Sequence, residues 1–325
     1  MDNSRFHILA VYQTFKKYSD INHPLTAQQL LHYLKIEFDI TMHRGTLRNY
    51  IQALQDFGIE IVDADRIKDG KYLLERQFEE SEIYLLSHAV HSSHFIPSKA
   101  SSHLIHKLLD TQSKYFKHNF HNSVYIENGK KNNNPDFFYT IEMLLTAIHQ
   151  KKGVSFQYMQ YDYNKRLVPK REKPYKVYPY FVVSENDNIY LICKSLSHLD
   201  TFSHYRVDKI KNVQMIQEST PSLQKNFDPY EYTYPRKFMF SDEIETVYLK
   251  CHVRILDDII EQFGKTIQIV PIKNEDYFHV RMKTSRQGII YFAMQYLAYC
   301  EILSPDNIRN KLKEILVDAT KKYQI

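Results

Sequence analysis

Three segments near the amino terminus share one spacing of apolar residues. Positions i, i+3, i+4 and i+7 are apolar in each, which predicts three amphipathic helices: Ile8, Val11, Tyr12 and Phe15; Ala27, Leu30, Leu31 and Leu34; and Leu47, Tyr50, Ile51 and Leu54. Thr26 and Gln29 have the spacing of a capping box at the start of the second helix, and Gly58 ends the third. The runs IEIVD and KYLLE then flank the turn ADRIKDG and predict a β-hairpin.

The third predicted helix carries polar residues opposite its apolar stripe. A step of about 100° per residue places four of them on that face, with Thr46 beside them: Gly45, Arg48, Asn49 and Gln52. Arg can donate two hydrogen bonds to guanine, and Asn can pair with adenine in the same bidentate way. Three helices and a hairpin with such a face are typical of a winged helix-turn-helix, here over residues 1–76.

The stretch HRGTLRNYIQALQDFGI resembles the recognition helices of bacterial winged-helix repressors. The candidate DNA-binding residues lie in this stretch and in the hairpin turn: His43, Arg44, Gly45, Thr46, Arg48, Asn49, Gln52, Arg66 and Lys68. Residues 1–76 carry ten basic and ten acidic side chains, which favours modest affinity per copy and hence a homodimer on a palindromic operator. A small helical bundle without a DNA role has the same periodicity and stays an alternative.

The rest of the chain changes from helical to alternating patterns. Helices are predicted at Ser81–His94 and Ser101–Phe116, and a polar boundary follows at Asn128–Asp136. The next helix, Phe137–Lys151, is expected to turn four residues inward: Ile141, Leu144, Leu145 and Ile148. Alternation then predicts four strands in a small, strongly bent sheet or barrel, in VSFQYMQYDY, YKVYPYFVV, NIYLICKS and FSHYRVDKIKNVQMI.

Composition narrows the classes of function. The 325 residues allow two to three domains, and three separated cysteines provide neither a disulfide framework nor zinc-ligand spacing. No signal sequence or membrane span is recognisable, so we expect a cytoplasmic protein with no membrane partner. Seven scattered glycines exclude the phosphate-binding loops. His88, His91 and His94 invite a metal hypothesis, but solvated histidines on a helix are the better interpretation, and we expect neither metal nor cofactor.

The strongest positive field is predicted in the middle of the chain. Residues 150–176 carry eight basic side chains against Asp162 and Glu172. Within them, KRLVPKREKPYKVYPY (165–180) mixes six cations with three tyrosines. That mixture suits an anion with flat faces, such as a nucleotide or a nucleic-acid strand, because cations contact phosphate and rings stack on bases. A solvated loop is the alternative.

Residues 141–213 resemble the WYL domain. The motifs that carry the resemblance are Ala147-Ile148 at a helix end, Phe156-x-Tyr158, Val177-x-Pro179-Tyr180, Ile189-Tyr190-Leu191 for Trp-Tyr-Leu, and Tyr205-Arg206-Val207-Asp208-Lys209-Ile210 for the F-R-L-D-R-I signature. Residues 245–325 resemble the WCX extension that follows WYL in such regulators. The chain departs from the family at Ile189, and at Tyr175 and Ser203, where Arg is usual. Either the KRLVPKREK loop replaces those cations or the ligand differs.

The resemblance implies an α+β multidomain architecture: a winged helix-turn-helix (1–76), a helical linker or dimerisation region (77–135), a small Sm-like β-barrel or sheet of the WYL type that senses a ligand (136–220), a linker (221–244) and an α/β WCX domain (245–325). It implies a dimeric, ligand-responsive transcriptional regulator, expected to be a repressor, that senses nucleic-acid fragments or nucleotides. The candidate ligand-binding residues are Tyr158, Arg166, Lys170, Arg171, Tyr178, Tyr180, Tyr190, Lys194 and Arg206.

Several alternatives stay open from the residues. Tyr158 and Tyr190 suit core packing as well as ligand contact. For Arg206 the ligand role is favoured, and the alternative is an ion pair with Asp208 or Asp162 and no contact with a ligand. Alternation places Tyr178 and Tyr180 on one strand face. The WYL segment could be a dimerisation or single-strand-binding module without sensing, or the chain could be a nuclease or another enzyme acting on nucleic acid. Isolated carboxylates argue against the enzyme.

Overall fold

The structure is a computed structural model that describes residues 4–65, 67, 68, 70–123, 131, 134–225 and 227–323. The chain divides into two compact units, Met1–Asn133 and Asn134–Ile325. Both combine helices with sheets, so the fold is mixed α+β. None of the helices in the described ranges has the length and apolar character that crossing a bilayer would need.

The first unit begins with three helices and a hairpin, in the predicted order. These are α1 (Ser4–Tyr18), α2 (Ala27–Phe38), α3 (Arg44–Asp56), β1 (Ile61–Asp63) and β2 (Lys71–Leu73). The predicted stripes form one core, with Phe15, Leu34 and Leu47 almost fully buried. The capping box at Thr26 and Gln29 is present. β1 and β2 pair antiparallel, and Leu25 bridges to Lys71 beside them.

Three further helices complete the first unit: α4 (Glu80–Ser92), α5 (Ser98–Leu109) and α6 (Lys114–Ser123). The single helix predicted over Ser101–Phe116 is therefore wrong, because α5 ends at Leu109 and α6 begins at Lys114. The Ser113 hydroxyl accepts from the Phe116 N–H at 3.2 Å, and the Gln112 amide donates to the Phe78 carbonyl at 2.6 Å. Such bonds from side chain to backbone compete with a continuous helix.

Arg76 joins the hairpin to the helices around it. Its guanidinium donates to the carbonyls of Lys16 at 3.0 Å, Ser19 at 2.5 Å and Thr111 at 3.2 Å. Burial lowers the pKa of this guanidinium, because it removes the charge from water, and the charges of Asp20 and Glu80 oppose the shift. The three carbonyls therefore hold the charge in place of solvent.

The second unit opens with α7 (Phe137–His149) packed on a bent six-stranded sheet. The strands are β3 (Lys152–Tyr161), β4 (Leu167–Pro169), β5 (Tyr175–Glu185), β6 (Asn188–Ser195), β7 (His198–Arg206) and β8 (Ile210–Ser219). The order is β4-β3-β5-β6-β7, and β8 also pairs with β3. The sequence predicted four strands. The last of them is divided by a 3-10 turn at Val207–Lys209, where buried Val207 redirects the chain from β6 towards β3.

The buried face of α7 differs from the predicted one. Phe137, Thr140, Leu144 and Ala147 are buried, whereas Leu145 is 51% exposed. The helix is apolar on more than one side, so periodicity alone selected a stripe rotated from the real one. The real stripe includes the polar Thr140.

A short helix, α8 (Pro229–Thr233), leads to the C-terminal part. There the elements are β9 (Ile244–His252), α9 (Leu256–Phe263), β10 (Gln268–Pro271), β11 (Tyr277–Ser285), α10 (Arg286–Gln295), β12 (Cys300–Ser304) and α11 (Asp306–Tyr323). The sheet order β10-β11-β9-β12 is antiparallel throughout. Residues from all three helices share a core with one sheet face, so the opposite face has no helix from this core against it.

Candidate functional site

The polar face of α3 is open to solvent. Exposed residues include seven of the candidates: His43, Arg44, Gly45, Thr46, Arg48, Asn49 and Gln52. The opposite stripe of Leu47, Ile51 and Leu54 is buried. His43 caps the helix, since its Nδ1 accepts from the Gly45 N–H at 3.3 Å. In the hairpin turn Lys68 is exposed, and Arg66 lies outside the described residues.

Gly45 leaves room at the start of α3. A Cβ atom added there would meet only His43 Nδ1, at 3.6 Å, so neighbouring atoms do not demand glycine. Gln52 donates to Asp56 Oδ1 at 2.9 Å along the helix. Within the described part of the chain, Arg44, Arg48 and Asn49 have no side-chain hydrogen bond or ion pair, so their donors face solvent.

Arg206 forms a bidentate ion pair with Asp208. Its Nε and Nη2 atoms donate to the two carboxylate oxygens at 3.0 and 2.8 Å. The Asp208 side chain is only 10% exposed, whereas that of Arg206 is 35% exposed. Since a guanidinium has five N–H groups, the pair leaves the two on Nη1 and one on Nη2 for another acceptor.

Two tyrosines and two lysines surround this ion pair. The Tyr158 hydroxyl accepts from the Arg206 backbone N–H at 3.3 Å, and burial raises the pKa of Tyr158. Tyr190 is the cross-strand partner of Arg206. The pKa of Lys209 is lowered first by burial and then by the charges of Arg206 and Lys170. These residues are called the Arg206 cluster below: Tyr158, Lys170, Tyr190, Arg206, Asp208 and Lys209.

Sequence reasoning missed Lys209 as a site residue. The signal was present, because Lys209 is the second base of the signature that ends at Ile210. It is the last residue of the 3-10 turn that follows Arg206, and the charge of Arg206 acts on it. A continuous strand across this region would place Arg206 and Lys209 on opposite faces, because they are three residues apart.

Tyr178, Tyr180 and Lys194 form a separate group. Tyr178 lies opposite Lys194, whose Nζ is 4.9 Å from the centroid of the Phe202 ring. The Tyr180 ring meets Phe202 edge-on at 5.7 Å. The register shifts between Pro179 and Phe181, so Tyr180 is not placed by simple alternation. Lys194 is four residues from Tyr190 along β6, about 13 Å.

An aromatic segment covers the strands between the two groups. The Tyr232 ring lies 4.8 Å from that of Phe202, and its hydroxyl is 2.8 Å from His204 Nε2. His204 Nδ1 is 2.7 Å from the Met239 carbonyl, and burial lowers the pKa of this imidazole. The rim predicted as one surface is therefore divided.

The KRLVPKREK loop is only partly a solvated loop. Arg166 is exposed at the β3–β4 turn, where its backbone N–H donates to Asp162 Oδ1 at 2.8 Å. The Arg171 guanidinium donates to the carbonyls of Lys173 at 3.0 Å and Pro174 at 3.2 Å. Its Cζ lies 3.5 Å from the centroid of the Tyr175 ring. Arg171 therefore bonds to carbonyls of its own loop and lies over Tyr175, the position where the WYL family usually has Arg.

Asn134 positions the turn that carries Asp208 and Lys209. This buried side chain donates to the carbonyls of Ile210 at 3.1 Å and Asp208 at 3.4 Å. Its Oδ1 accepts from the Asp136 N–H at 3.1 Å, at the start of α7. Sequence reasoning treated the stretch around Asn134 only as a polar boundary, because nothing local links it to a strand more than seventy residues later.

No group of three or more His, Cys, Asp or Glu side chains in the described ranges is arranged to hold a metal ion. His88 and His91 lie on α4, whereas His94 follows the end of that helix at Ser92. His88 Nε2 is buried and has no hydrogen-bond partner among the described residues, while burial and the charge of Lys131 lower the pKa of His91.

Comparison with known proteins identifies the middle of the chain. Residues 139–215 match the WYL domain family, so this part is a WYL domain and the resemblance seen in the sequence is confirmed there. No curated protein matches the chain.

Two solved structures are similar over 99% of this chain. One is proteasome accessory factor B/C (PafBC) of Arthrobacter aurescens, with 13% identity, a TM-score of 0.29 and 49% of that chain covered. The other is described as a CRISPR Cas-related protein, with 14% identity, a TM-score of 0.39 and 85% of that chain covered. The present chain thus spans about half the length of the first.

The Asn134 bonds generate a stability prediction. We expect Asn134→Ala to lower the free energy of unfolding by about 1–3 kcal/mol, because two buried carbonyls lose their donor. Urea denaturation followed by circular dichroism measures the change. Asn164→Ala, at an exposed turn position, is the control and should change stability by less than about 0.5 kcal/mol. Equal effects of the two substitutions would contradict the role given to Asn134.

Proposed function

We propose that this protein is a DNA-binding transcriptional regulator controlled by a nucleic-acid fragment or nucleotide. Two surfaces of one chain support the proposal: the open polar face of α3 and the half-buried Arg206 cluster in the WYL domain. We take residues 1–76 as the winged helix-turn-helix and repression as the direction of control. Binding rather than catalysis is proposed for both surfaces.

The α3 face supports duplex binding by its chemistry. Arg48 and Asn49 are exposed next to each other and have donors that suit guanine and adenine edges in the major groove. Lys68 extends from the hairpin turn, where a wing would contact the phosphate backbone. Gly45 leaves space for a close approach of the helix start.

Arg48→Ala and Asn49→Ala are each expected to weaken binding to the operator by about 1–3 kcal/mol, with little change on random duplex. The operator can be selected from a random pool or sought as an inverted repeat upstream of the gene, and gel-shift titration measures both affinities. Arg5→Ala, an exposed arginine on α1, is the matched control. Equal losses on both duplexes would reduce these residues to phosphate contacts.

A homodimer is proposed because one such domain with balanced charge provides few contacts. The helix α4 supplies a surface for it: Tyr84, Leu85 and Leu86 are consecutive and 41%, 67% and 40% exposed. Consecutive exposed apolar residues favour an interface. In a two-fold dimer, the same patch is buried twice.

Light scattering of the full chain should report about twice 38.9 kDa at micromolar concentration. Leu85→Lys is expected to shift the particle towards 38.9 kDa, because a charge would be buried at the proposed interface. Leu199→Lys, at an exposed strand position, should leave the mass unchanged. A monomeric wild-type protein would refute the dimer, and a dimeric Leu85→Lys variant would place the interface elsewhere.

The Arg206 cluster supports effector binding. Asp208 pairs with Arg206 alone, while Lys170 and Lys209 add positive charge nearby, and the unused N–H groups of Arg206 match phosphate oxygens. Tyr158 and Tyr190 supply rings next to these donors. A second candidate, a WYL module without sensing, is favoured by the internal Arg206–Asp208 pair.

Arg206→Ala and Lys209→Gln are expected to remove or strongly weaken the response to short single strands and nucleotides while leaving duplex binding without effector intact. For a single-stranded effector, each lost phosphate contact should reduce the slope of log K against log salt by about 0.7. Calorimetry at two salt concentrations measures this, with exposed Lys225→Gln as control. Absence of heat with every ligand would favour the module without sensing. Cleavage of labelled DNA on adding Mg²⁺ would favour an enzyme.

A further inference from the structure

The C-terminal sheet has one face free of the helices that form its core. Inward residues of its central strands, such as Leu249 and Val280, are fully buried in the core shared with α9, α10 and α11. Alternate residues therefore point to the other face. Tyr248, His279, Arg281 and Lys283 are exposed there.

Three successive pairs on this face each combine a ring with a nitrogen-bearing group. Tyr248 lies opposite Arg281, Lys250 opposite His279, and His252 opposite Tyr277. Outward pairs recur every second residue, about 7 Å apart. The result is a row of aromatic and basic side chains along the two central strands.

Cation–π contacts within and between the pairs hold rings and cations together. The Arg281 Cζ is 5.6 Å from the centroid of the Tyr248 ring, and the Lys250 Nζ is 4.8 Å from that of Tyr277. A cavity of about 350 Å³ lies at the first pair, lined also by Val270 and His279. Tyr248 is 41% exposed, so part of its ring is available to a ligand.

The charge on the face favours an anion. Glu301, an outward carboxylate on the same sheet, pairs with Arg309 at 2.7 Å, and Glu275 pairs with Lys250 at 2.8 Å. Arg281 and Lys283 form no ion pair within the described part of the chain. A protein interface would be expected to deplete lysine at its centre.

We infer that this open sheet face is a second site for single-stranded nucleic acid, distinct from the α3 face and the Arg206 cluster. Flat unstacked bases fit the rings of a four-stranded sheet, and the backbone fits its cations. A duplex hides its base faces, so single strands are the class that this surface selects. The inference does not depend on the proposed effector or operator.

Fluorescence anisotropy of the full-length protein with labelled single-stranded DNA and RNA of about twelve nucleotides tests the site. We expect Tyr248→Ala to weaken binding about tenfold, the loss of one stacked base. Arg281→Gln with Lys283→Gln should lower the salt slope by about 1.4, from two phosphate contacts. Tyr323→Ala and Lys313→Gln, exposed on α11, are matched controls and should bind normally.

Arg206→Ala separates this site from the effector site. Single-strand binding that survives Arg206→Ala and is lost in the sheet variants supports the inference. It is overturned if the wild type binds no single strand, if only Arg206→Ala reduces binding, or if the sheet variants match their controls. A lower mass for Tyr248→Ala in light scattering also overturns it, because the face would then join two copies of the chain. The charge variant keeps the test decisive if Tyr248→Ala unfolds.

Discussion

The change of chain direction at Val207–Lys209 is the constraint on which both the sheet and the candidate effector site of the WYL domain depend. Before it, β7 pairs with β6; after it, β8 pairs with β3, which holds β4 and β5 as well. Burial of Val207 and the amide of Asn134 fix the turn. The same turn places Lys209 within electrostatic range of Arg206, which pairs with Asp208, so the turn determines both the strand order and the geometry of the candidate site.

The cluster that results holds more positive than negative charge in a half-buried place. Asp208 balances one cation, while burial first, and then the charges of Arg206 and Lys170, lower the pKa of Lys209. Like charges held together in reduced dielectric repel each other, and a bound anion relieves that repulsion. The folded protein therefore carries an electrostatic cost at the point where the proposed effector would bind.

The two sheets of the second unit use tyrosine in opposite ways. In the WYL domain, Tyr158 and Tyr205 pack edge-on at 5.0 Å, and burial raises the pKa of Tyr205 to about 12. In the C-terminal sheet, Tyr248 is partly exposed, and the Arg281 guanidinium lies 5.6 Å from the centroid of its ring. The difference follows from topology. In the bent sheet of the WYL domain, tyrosine rings pack against residues of neighbouring strands. In the C-terminal βαββαβ sheet, the helices pack on one face, and the other face is open.

Local order was determined by the sequence alone. The apolar spacing predicted α1, α2 and α3 with their buried faces, the capping box at Thr26 and the exposed face around Arg48, because these depend on backbone geometry within a few residues. The signature around Arg206 likewise identified the WYL domain. The sequence was sufficient for these features because each depends on residues that are close together along the chain.

Tertiary structure decided which of those residues meet. It broke the helix predicted over Ser101–Phe116, turned Leu145 outward and separated Tyr178 and Lys194 from Arg206. It also brought in Asn134, whose bond to Ile210 joins positions 76 residues apart. Such contacts depend on the path of the whole chain, and a local pattern of apolar and polar positions has no information about a partner that distant.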